Sequence, residues 1–159
     1  MFEFISSSRV RTQSGYLVVL TLVFGAGFFV IVTAFAGYVV TQNQVQVRSY
    51  NKAKALAIAE AALAKKAIDV VVLDVAKLTS VADYLVLCSG ESGRQAHAIA
   101  DHIDGELSRL GEAPATMEGG SSSQWVLLDF GDVVVHVFQS EVRAYYALEK
   151  LWGDAKRVP

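Results

Sequence analysis

The stretch 83–103, DYLVLCSGESGRQAHAIADHI, decides the fold class because it joins a strand pattern directly to a helix pattern. Its first part, DYLVLCSG (83–90), has the apolar continuity of a strand buried on both faces. Ser92, with Gln95 three residues later, forms a capping box that predicts the start of a helix. Apolar residues then recur at steps of three and four until Gly111: Ala96, Ile99, Ala100, Ile103, Leu107 and Leu110. A buried strand followed by an amphipathic helix predicts an α/β domain.

The sequence on either side supplies further strands and a last helix. IDVVVLDV (68–75) predicts a second central strand that is buried on both faces. WVLLDF and VVVHVF, joined at Gly131-Asp132, predict a β-hairpin with a tight turn. Ser140 is placed to cap a single last helix, EVRAYYALEKLW (141–152). The apolar stripe of that helix is predicted to consist of Ala144, Leu148 and Leu151.

A segment of different composition precedes this domain. Residues 16–40, YLVVLTLVFGAGFFVIVTAFAGYVV, contain no charged side chain and are long enough to cross a bilayer core of roughly 30 Å as a helix. We therefore predict a polar leader over 1–15, a transmembrane helix over 16–40, an Ala/Lys-rich linking helix over 41–66 and the α/β domain over 67–159. A cleaved signal peptide is the alternative, although its apolar core normally has only about 7–15 residues. A slight excess of Lys and Arg after the segment favours a cytoplasmic C-terminal part.

Composition and charge limit the function. The chain has 159 residues, a mean hydropathy of +0.37 and a formal net charge of −2. From residue 68 to residue 159, seven Lys and Arg stand against fourteen Asp and Glu, which gives this part a charge of −7. Nucleic-acid binding draws most of its affinity from Lys and Arg at phosphates, so we expect little direct contact with RNA or DNA. A basic protein partner suits this charge better.

Patterns of catalytic or metal-binding residues are weak. A nucleotidyl-transfer enzyme needs carboxylates that converge on metal ions, and no D-x-D pair follows the CSGES turn. Two pairs of residues have the i, i+4 spacing at which side chains can share a metal ion: His97 with Asp101, and His102 with Glu106. Solvated pairs on a helix face are a far more common explanation of this spacing. Cys88 lies within an apolar strand, which favours a buried, inert thiol. We therefore expect no metal, no cofactor and no enzymatic activity, with a nucleotidyltransferase-like enzyme as an alternative.

Aromatic residues gather toward the C-terminus, interleaved with charged ones. Trp125, Phe130, Tyr145, Tyr146 and Trp152 fall within 28 residues. Trp, Tyr and Arg are over-represented at binding hot spots, whereas large aromatic side chains are also common in cores. A histidine between valines in the second strand of the hairpin has the same two interpretations, a hydrogen-bonded core residue or a contact residue.

Three ordered motifs carry a family resemblance: KKAIDVVVLDV, CSGESGRQAHAIADHI and EGGSSSQWVLLDFGDVVVHVFQSEVRAYYALEKLW. Over roughly residues 51–155 the chain closely resembles the Iojap-like ribosomal silencing factors. The resemblance implies an α/β domain with a mixed β-sheet flanked by helices, nucleotidyltransferase-like but without catalytic groups. It also implies a factor that binds a basic protein of the large ribosomal subunit, the fourteenth in the standard order, and sterically blocks joining with the small subunit, which represses translation. Organellar relatives act in assembly of the large subunit.

The same resemblance indicates contact residues. We predict an aromatic and acidic surface against the basic ribosomal protein, formed by Trp125, Asp129, Phe130, His136, Arg143, Tyr146 and Glu149. Gly131 is expected to serve a turn, and Leu148 and Leu151 to lie in the core. The family does not carry residues 1–50. Either the chain is a cytoplasmic factor tethered to the membrane through 16–40, or its N-terminal segment reflects a fusion or a misassigned start. The oligomeric state stays open, with a homodimer as one alternative.

The N-terminal region has a second, weaker resemblance. A basic leader, Gly15, an uncharged run and a polar helix ending in AEAAL resemble the N-termini of pilin-like minor pilus proteins. Leu20 departs from that pattern, since typical prepilins carry a glutamate five residues past the glycine. A membrane-anchored pilus or assembly component is therefore an alternative function, in which the domain would be translocated away from ribosomes.

Overall fold

The computed structural model describes residues 8–120 and 122–159, so the first seven residues of the predicted polar leader lie outside the described residues. The described residues divide between Gln46 and Val47 into two compact units. Helix α1 (Ser8–Ala64) contributes to both units. In the first unit, every residue from 16 to 46 is exposed. By length and composition, α1 is the one helix in the described part of the chain that could cross a membrane.

The second unit is a six-stranded mixed sheet with helices on both faces. After α1 its elements are β1 (Ile68–Asp74), β2 (Tyr84–Gly90), α2 (Gly93–Arg109), β3 (Thr116–Glu118), β4 (Trp125–Asp129), β5 (Val133–Gln139), α3 (Ser140–Tyr146), α4 (Leu148–Leu151) and β6 (Lys156–Val158). The strand order is β3-β4-β5-β2-β1-β6. Only the β2–β5 pair at the centre is parallel, and the other four pairs are antiparallel. The predicted α/β fold with a mixed sheet is confirmed.

One face of the sheet packs against α2 and the C-terminal part of α1. Successive residues of a strand point to opposite faces, so Val126 and Leu128 of β4 and the odd-numbered valines of β5 share this core. Helix α2 begins as predicted, with the Ser92 hydroxyl accepting a hydrogen bond from the Gln95 backbone N–H at 3.3 Å. Its buried stripe is Ala96, Ile99, Ala100, Ile103 and Leu107. The predicted last member, Leu110, is wrong: it is 72% exposed because the helix ends at Arg109 and the chain turns away.

The other face packs against α3 and α4. Leu85, Leu87 and Phe138 form the centre of this second core, and Val142, Leu148 and Trp152 cover it from the helices. Because α3 directly follows β5, which pairs with both β2 and β4, side chains from three strands and one helix converge at this end of the sheet.

The second unit begins earlier than the predicted boundary at residue 67. Residues 47–64 of α1 are not a free linker, because Ala55, Ile58 and Ala62 are fully buried in the first core. Polar contacts also hold this segment: Arg48 Nη2 lies 2.7 Å from an Asp74 carboxylate oxygen. The unit 47–159 therefore carries twelve Lys and Arg against fifteen Asp and Glu, a charge of −3 in place of −7.

The predicted C-terminal helix is two short helices. Ala147 adopts a left-handed conformation with φ of 45°, which ends α3 and begins α4. The Ser140 hydroxyl does not cap the helix, since it donates to the Gly90 carbonyl at 3.2 Å. Because the helix breaks at Ala147, the three residues of the predicted apolar stripe no longer share one face. Ala144 and Leu151 are exposed, and only Leu148 packs on the core.

Strand β1 is next to the edge of the sheet and is only partly buried, unlike its predicted central position. A bulge interrupts its pairing with β2 between Ile68 and Val71. Asp69 lies in this bulge with φ of 50°, which turns its carbonyl out of the ladder. This irregularity supplies one hydrogen-bond acceptor to the candidate site.

Candidate functional site

Trp125 is the centre of a row of aromatic rings that runs from the second core to the surface. The hairpin register pairs Trp125 with Phe138 and places His136 on the same face. The Trp125 ring lies 4.9 Å from the Phe138 ring and 5.6 Å from the His136 ring, measured between centroids. On its other side, the Tyr146 ring of α3 lies 4.9 Å away. Tyr145 meets Tyr146 edge to face at 5.2 Å, a favoured geometry for aromatic pairs.

The outer end of this row opens into a groove of about 480 Å³ between the start of β4 and α3. Its lining consists of Ser123, Gln124, Trp125, Glu141, Val142, Tyr145 and Tyr146. Tyr145 is 83% exposed and Tyr146 is 50% exposed, whereas Trp125 is half-buried. We call these three residues the aromatic ridge. Large exposed rings on a well-packed base are the side chains that anchor protein partners.

The backbone beneath Trp125 is held in place by a local turn. The Ser123 hydroxyl donates to the Trp125 carbonyl at 2.7 Å and accepts from the Trp125 N–H at 3.3 Å. Gly119 passes so close that a Cβ there would lie 2.5 Å from the Trp125 carbonyl oxygen, and its φ is +107°. The ridge therefore stands on a rigid base.

His136 supports the ridge from within. Its exposure is 9%, and its Nδ1 accepts a hydrogen bond from the Trp125 indole N–H at 3.2 Å. Burial lowers the pKa of His136 from 6.5 to about 4, so the ring is neutral at physiological pH. Because Nδ1 is the acceptor, the proton of the neutral ring lies on Nε2. His136 thus positions Trp125 and does not form part of the exposed contact surface, contrary to prediction.

Arg143 is also an internal anchor and not the predicted exposed contact. Its guanidinium donates to Glu149 from Nε at 2.7 Å and from Nη2 at 2.5 Å. Its Nη1 donates to the Asp69 carbonyl at 2.6 Å and to the Ser89 hydroxyl at 3.1 Å. The side chains of Arg143 and Glu149 are only 11% and 25% exposed. One fork therefore ties α3 to α4, to the β1 bulge and to the end of β2.

The Glu149 carboxylate is matched to this anchor. Burial acts to raise the pKa of Glu149, but a backbone hydrogen bond and the Arg143 guanidinium outweigh it and lower the pKa. The Glu149 carboxylate is therefore ionised at neutral pH, and its hydrogen bonds with Arg143 are made within the domain.

The two remaining predicted contact residues lie at the far end of the hairpin. The Asp129 carboxylate accepts a hydrogen bond from the Gly131 N–H at 2.7 Å, and Gly131 has φ of +80°. Both residues therefore stabilise the hairpin turn, which is the role expected for Gly131. Phe130 is 8% exposed and packs in the first core, on the opposite face of the sheet from Trp125. Strand alternation separates the two, so Phe130 is wrong as a surface contact.

Of the seven predicted contact residues, two line the groove, and three others support it from within the domain. Trp125 and Tyr146 are on the ridge, while His136, Arg143 and Glu149 hold it from below. Sequence reasoning missed Glu141 as a lining residue and treated Tyr145 only as one of several aromatic residues. Their position directly after β5, at the end where Trp125 pairs, was the available signal.

The described residues offer little for catalysis. Across 8–120 and 122–159, no cluster of three or more His, Cys, Asp or Glu side chains is arranged to hold a metal ion. Burial raises the pKa of the Cys88 thiol to about 12, which keeps it protonated and unreactive at neutral pH. What the site provides is a shaped aromatic surface.

The second unit is similar to known proteins along its whole length. The family model described as ribosomal silencing factor during starvation matches residues 47–159. A relative from Bacillus subtilis (strain 168), named ribosomal silencing factor RsfS, is 48% identical over 91 residues, which are 57% of this chain and 77% of the relative. A crystal structure of a Chromobacterium violaceum protein has a TM-score of 0.62 at 39% identity and covers 64% of this chain and 85% of that chain. A Bacillus halodurans structure has a TM-score of 0.58 at 38% identity and covers 65% of this chain and 94% of that chain.

Proposed function

Because the chain belongs to the family of ribosomal silencing factors that act during starvation, we propose that the unit 47–159 binds the large ribosomal subunit and sterically blocks its joining with the small subunit. Translation falls because free large subunits are occupied. The relatives are named as silencing factors and not as enzymes, and steric blocking requires no turnover. We place this activity in the cytoplasm, where subunits join.

The observation that carries the proposal is the aromatic ridge, Trp125, Tyr145 and Tyr146. It is the exposed end of an aromatic row whose inner members are buried, so the surface is both apolar and rigid. Trp125 loses little conformational entropy when a partner docks, because its ring is already packed against Phe138, His136 and Tyr146. Such a surface suits a folded, preformed partner such as the ribosome.

The partner that we propose is a basic protein of the large subunit, the fourteenth in the standard order. Glu141 lines the groove beside the two tyrosines, and α3 has no Lys or Arg other than Arg143, which Glu149 and the strand ends occupy. The groove therefore presents negative and aromatic groups without a free cation from α3. Lys and Arg of a partner can pair with Glu141 and stack on the tyrosine rings.

Binding to separated ribosomal subunits tests this proposal. The full chain in detergent micelles is sedimented through sucrose gradients with large or small subunits, and the bound fraction is measured by immunoblot. We expect co-migration with the large subunit. Tyr145→Ala together with Tyr146→Ala should weaken binding at least about thirtyfold, since even a single hot-spot aromatic residue contributes roughly 2 kcal/mol and about 1.4 kcal/mol corresponds to tenfold.

A matched control separates loss of the surface from loss of the fold. Leu151 is 73% exposed, which lies between Tyr146 at 50% and Tyr145 at 83%, but it is on α4 and outside the groove lining. Leu151→Ala should bind like the wild type. Equal binding by the double tyrosine variant, with the fold intact by circular dichroism, would mean that another surface contacts the ribosome. Failure of the folded wild-type chain to bind large subunits would refute the proposed function itself.

A further inference from the structure

The first unit exposes apolar side chains on every side of its helix. Phe28, Phe29, Val30 and Ile31 follow one another at 100° steps around α1 and are 70%, 68%, 63% and 68% exposed. A helix that docks in a protein groove has one apolar face and one polar face. Apolar residues all round the axis instead suit an environment that is apolar in every direction.

The length of the apolar segment matches a bilayer. The 25 uncharged residues of 16–40 extend about 37 Å as an α-helix, which exceeds the roughly 30 Å hydrocarbon core. Tyr16 and Tyr38 stand near its two ends, where aromatic rings with a polar tip lie at membrane interfaces. The segment is therefore long enough to span with both ends in water.

The helix leaves none of its threonine hydroxyls unpaired in this segment. Thr21 donates to the Leu17 carbonyl at 2.8 Å, and Thr33 donates to the Phe29 carbonyl at 3.0 Å. Just beyond it, Thr41 donates to the Gly37 carbonyl at 2.9 Å. A hydroxyl without a partner is costly in hydrocarbon, where no water can satisfy it. These internal bonds adapt the polar residues to lipid.

We propose that residues 16–40 span a lipid bilayer as a single helix and that the unit 47–159 lies on its cytoplasmic side. Basic residues flank both ends within about 20 residues of the span. Three (Arg48, Lys52 and Lys54) follow it, and two (Arg9 and Arg11) precede it in the sequence. The cytoplasmic flank of a spanning helix carries the excess of Lys and Arg. This orientation rests on the sequence; its consequence, capture of large subunits at the membrane surface, rests on the proposed function.

Insertion is tested with the full chain synthesised in a cell-free reaction that contains liposomes of phosphatidylethanolamine and phosphatidylglycerol. After a carbonate wash at high pH, flotation separates inserted from soluble chain. We expect the wild type to float. Phe28→Asp with Phe29→Asp places two charges at the centre of the span and should lower the floated fraction at least about tenfold. Phe28→Leu with Phe29→Leu is the matched control and should float like the wild type.

Orientation is tested in inverted membrane vesicles from a bacterial host that expresses the full chain. Protease added outside such vesicles should digest the unit 47–159, because their outer surface is the cytoplasmic face. Protection of that unit would overturn the orientation and favour a translocated domain.

The remaining outcomes are also decisive. Three results would refute the span: release of the wild-type chain by carbonate, cleavage after the apolar segment, or a soluble oligomer of defined size. The last of these would assign the apolar surface to contact with a second copy of the chain. If the chain floats but carries no large subunits with it, the proposed function fails and the span stands. If the chain binds large subunits but does not float, the span fails and the proposed function stands.

Discussion

Lowering the pH should destabilise the domain through one buried histidine. The pKa of His136 is about 4 in the folded state and 6.5 as the reference for the unfolded chain. The unfolded state therefore binds the proton more readily, and stability is complete above pH 6.5 and falls as the pH drops toward 4. One pKa unit corresponds to about 1.4 kcal/mol, so full protonation of His136 lowers the free energy of unfolding by about 3 kcal/mol. About 2 kcal/mol of this decrease is reached at about pH 5.

The assay is urea unfolding of residues 47–159, followed by tryptophan fluorescence at about pH 7.5 and about pH 5. A cooperative transition at neutral pH first establishes that this fragment folds. His136→Gln is the matched variant, because its amide oxygen can still accept the Trp125 N–H and it carries no titratable group. Carboxylates such as Glu149 also contribute to acid destabilisation, and subtracting the variant removes that common part.

The free energy of unfolding should fall about 2 kcal/mol more for the wild type than for His136→Gln between the two pH values. An equal fall in both proteins would refute the claim that His136 is buried and neutral beneath Trp125. A larger fall in the variant would show that the folded protein stabilises the charged imidazole, with the opposite sign of pKa shift.

Three further changes test the supports of the site, each measured by urea unfolding. Arg143→Lys should lower stability by about 2 kcal/mol, because an ammonium cannot serve the three acceptors that the guanidinium bridges; a change under about 0.5 kcal/mol would argue against the anchor. Gly119→Ala should cost about 2 kcal/mol or more, since its Cβ would lie 2.5 Å from the Trp125 carbonyl oxygen at φ of +107°, whereas Gly120→Ala meets nothing within 4 Å and should be nearly neutral. Ser92→Ala removes the α2 cap and should cost about 1 kcal/mol, a loss that Ser92→Asp should largely restore.

The elements that the sequence predicted well are those encoded by local patterns. Helix α2 follows from its capping box and from apolar residues at helical spacing, and the hairpin follows from two apolar runs around a tight turn. The burial of Phe130 on the face opposite Trp125 could also have been predicted. An odd number of steps separates the two along the strand, and successive side chains of a strand point to opposite faces.

The features that the sequence did not reveal depend on distant contacts or on small residues. The Arg143 anchor joins α3 to an oxygen of Asp69, 74 residues earlier, and the bulge that exposes this oxygen has no sequence marker. Likewise, the helical residues 47–64 are rich in alanine, which is typical both of a solvated linker and of a close-packed core helix. The break at Ala147 separates α3 from α4 at a residue that favours helix, so tertiary packing overrides local preference there.

The most direct test of the central claim measures joining of purified ribosomal subunits by light scattering, with the full chain in micelles added to the large subunit first. Wild-type chain should reduce the amount of joined ribosome in proportion to its concentration, and Leu151→Ala should do the same. Tyr145→Ala with Tyr146→Ala should restore joining nearly to the level without the chain. Undiminished joining in the presence of folded wild-type chain at saturating concentration would contradict the account.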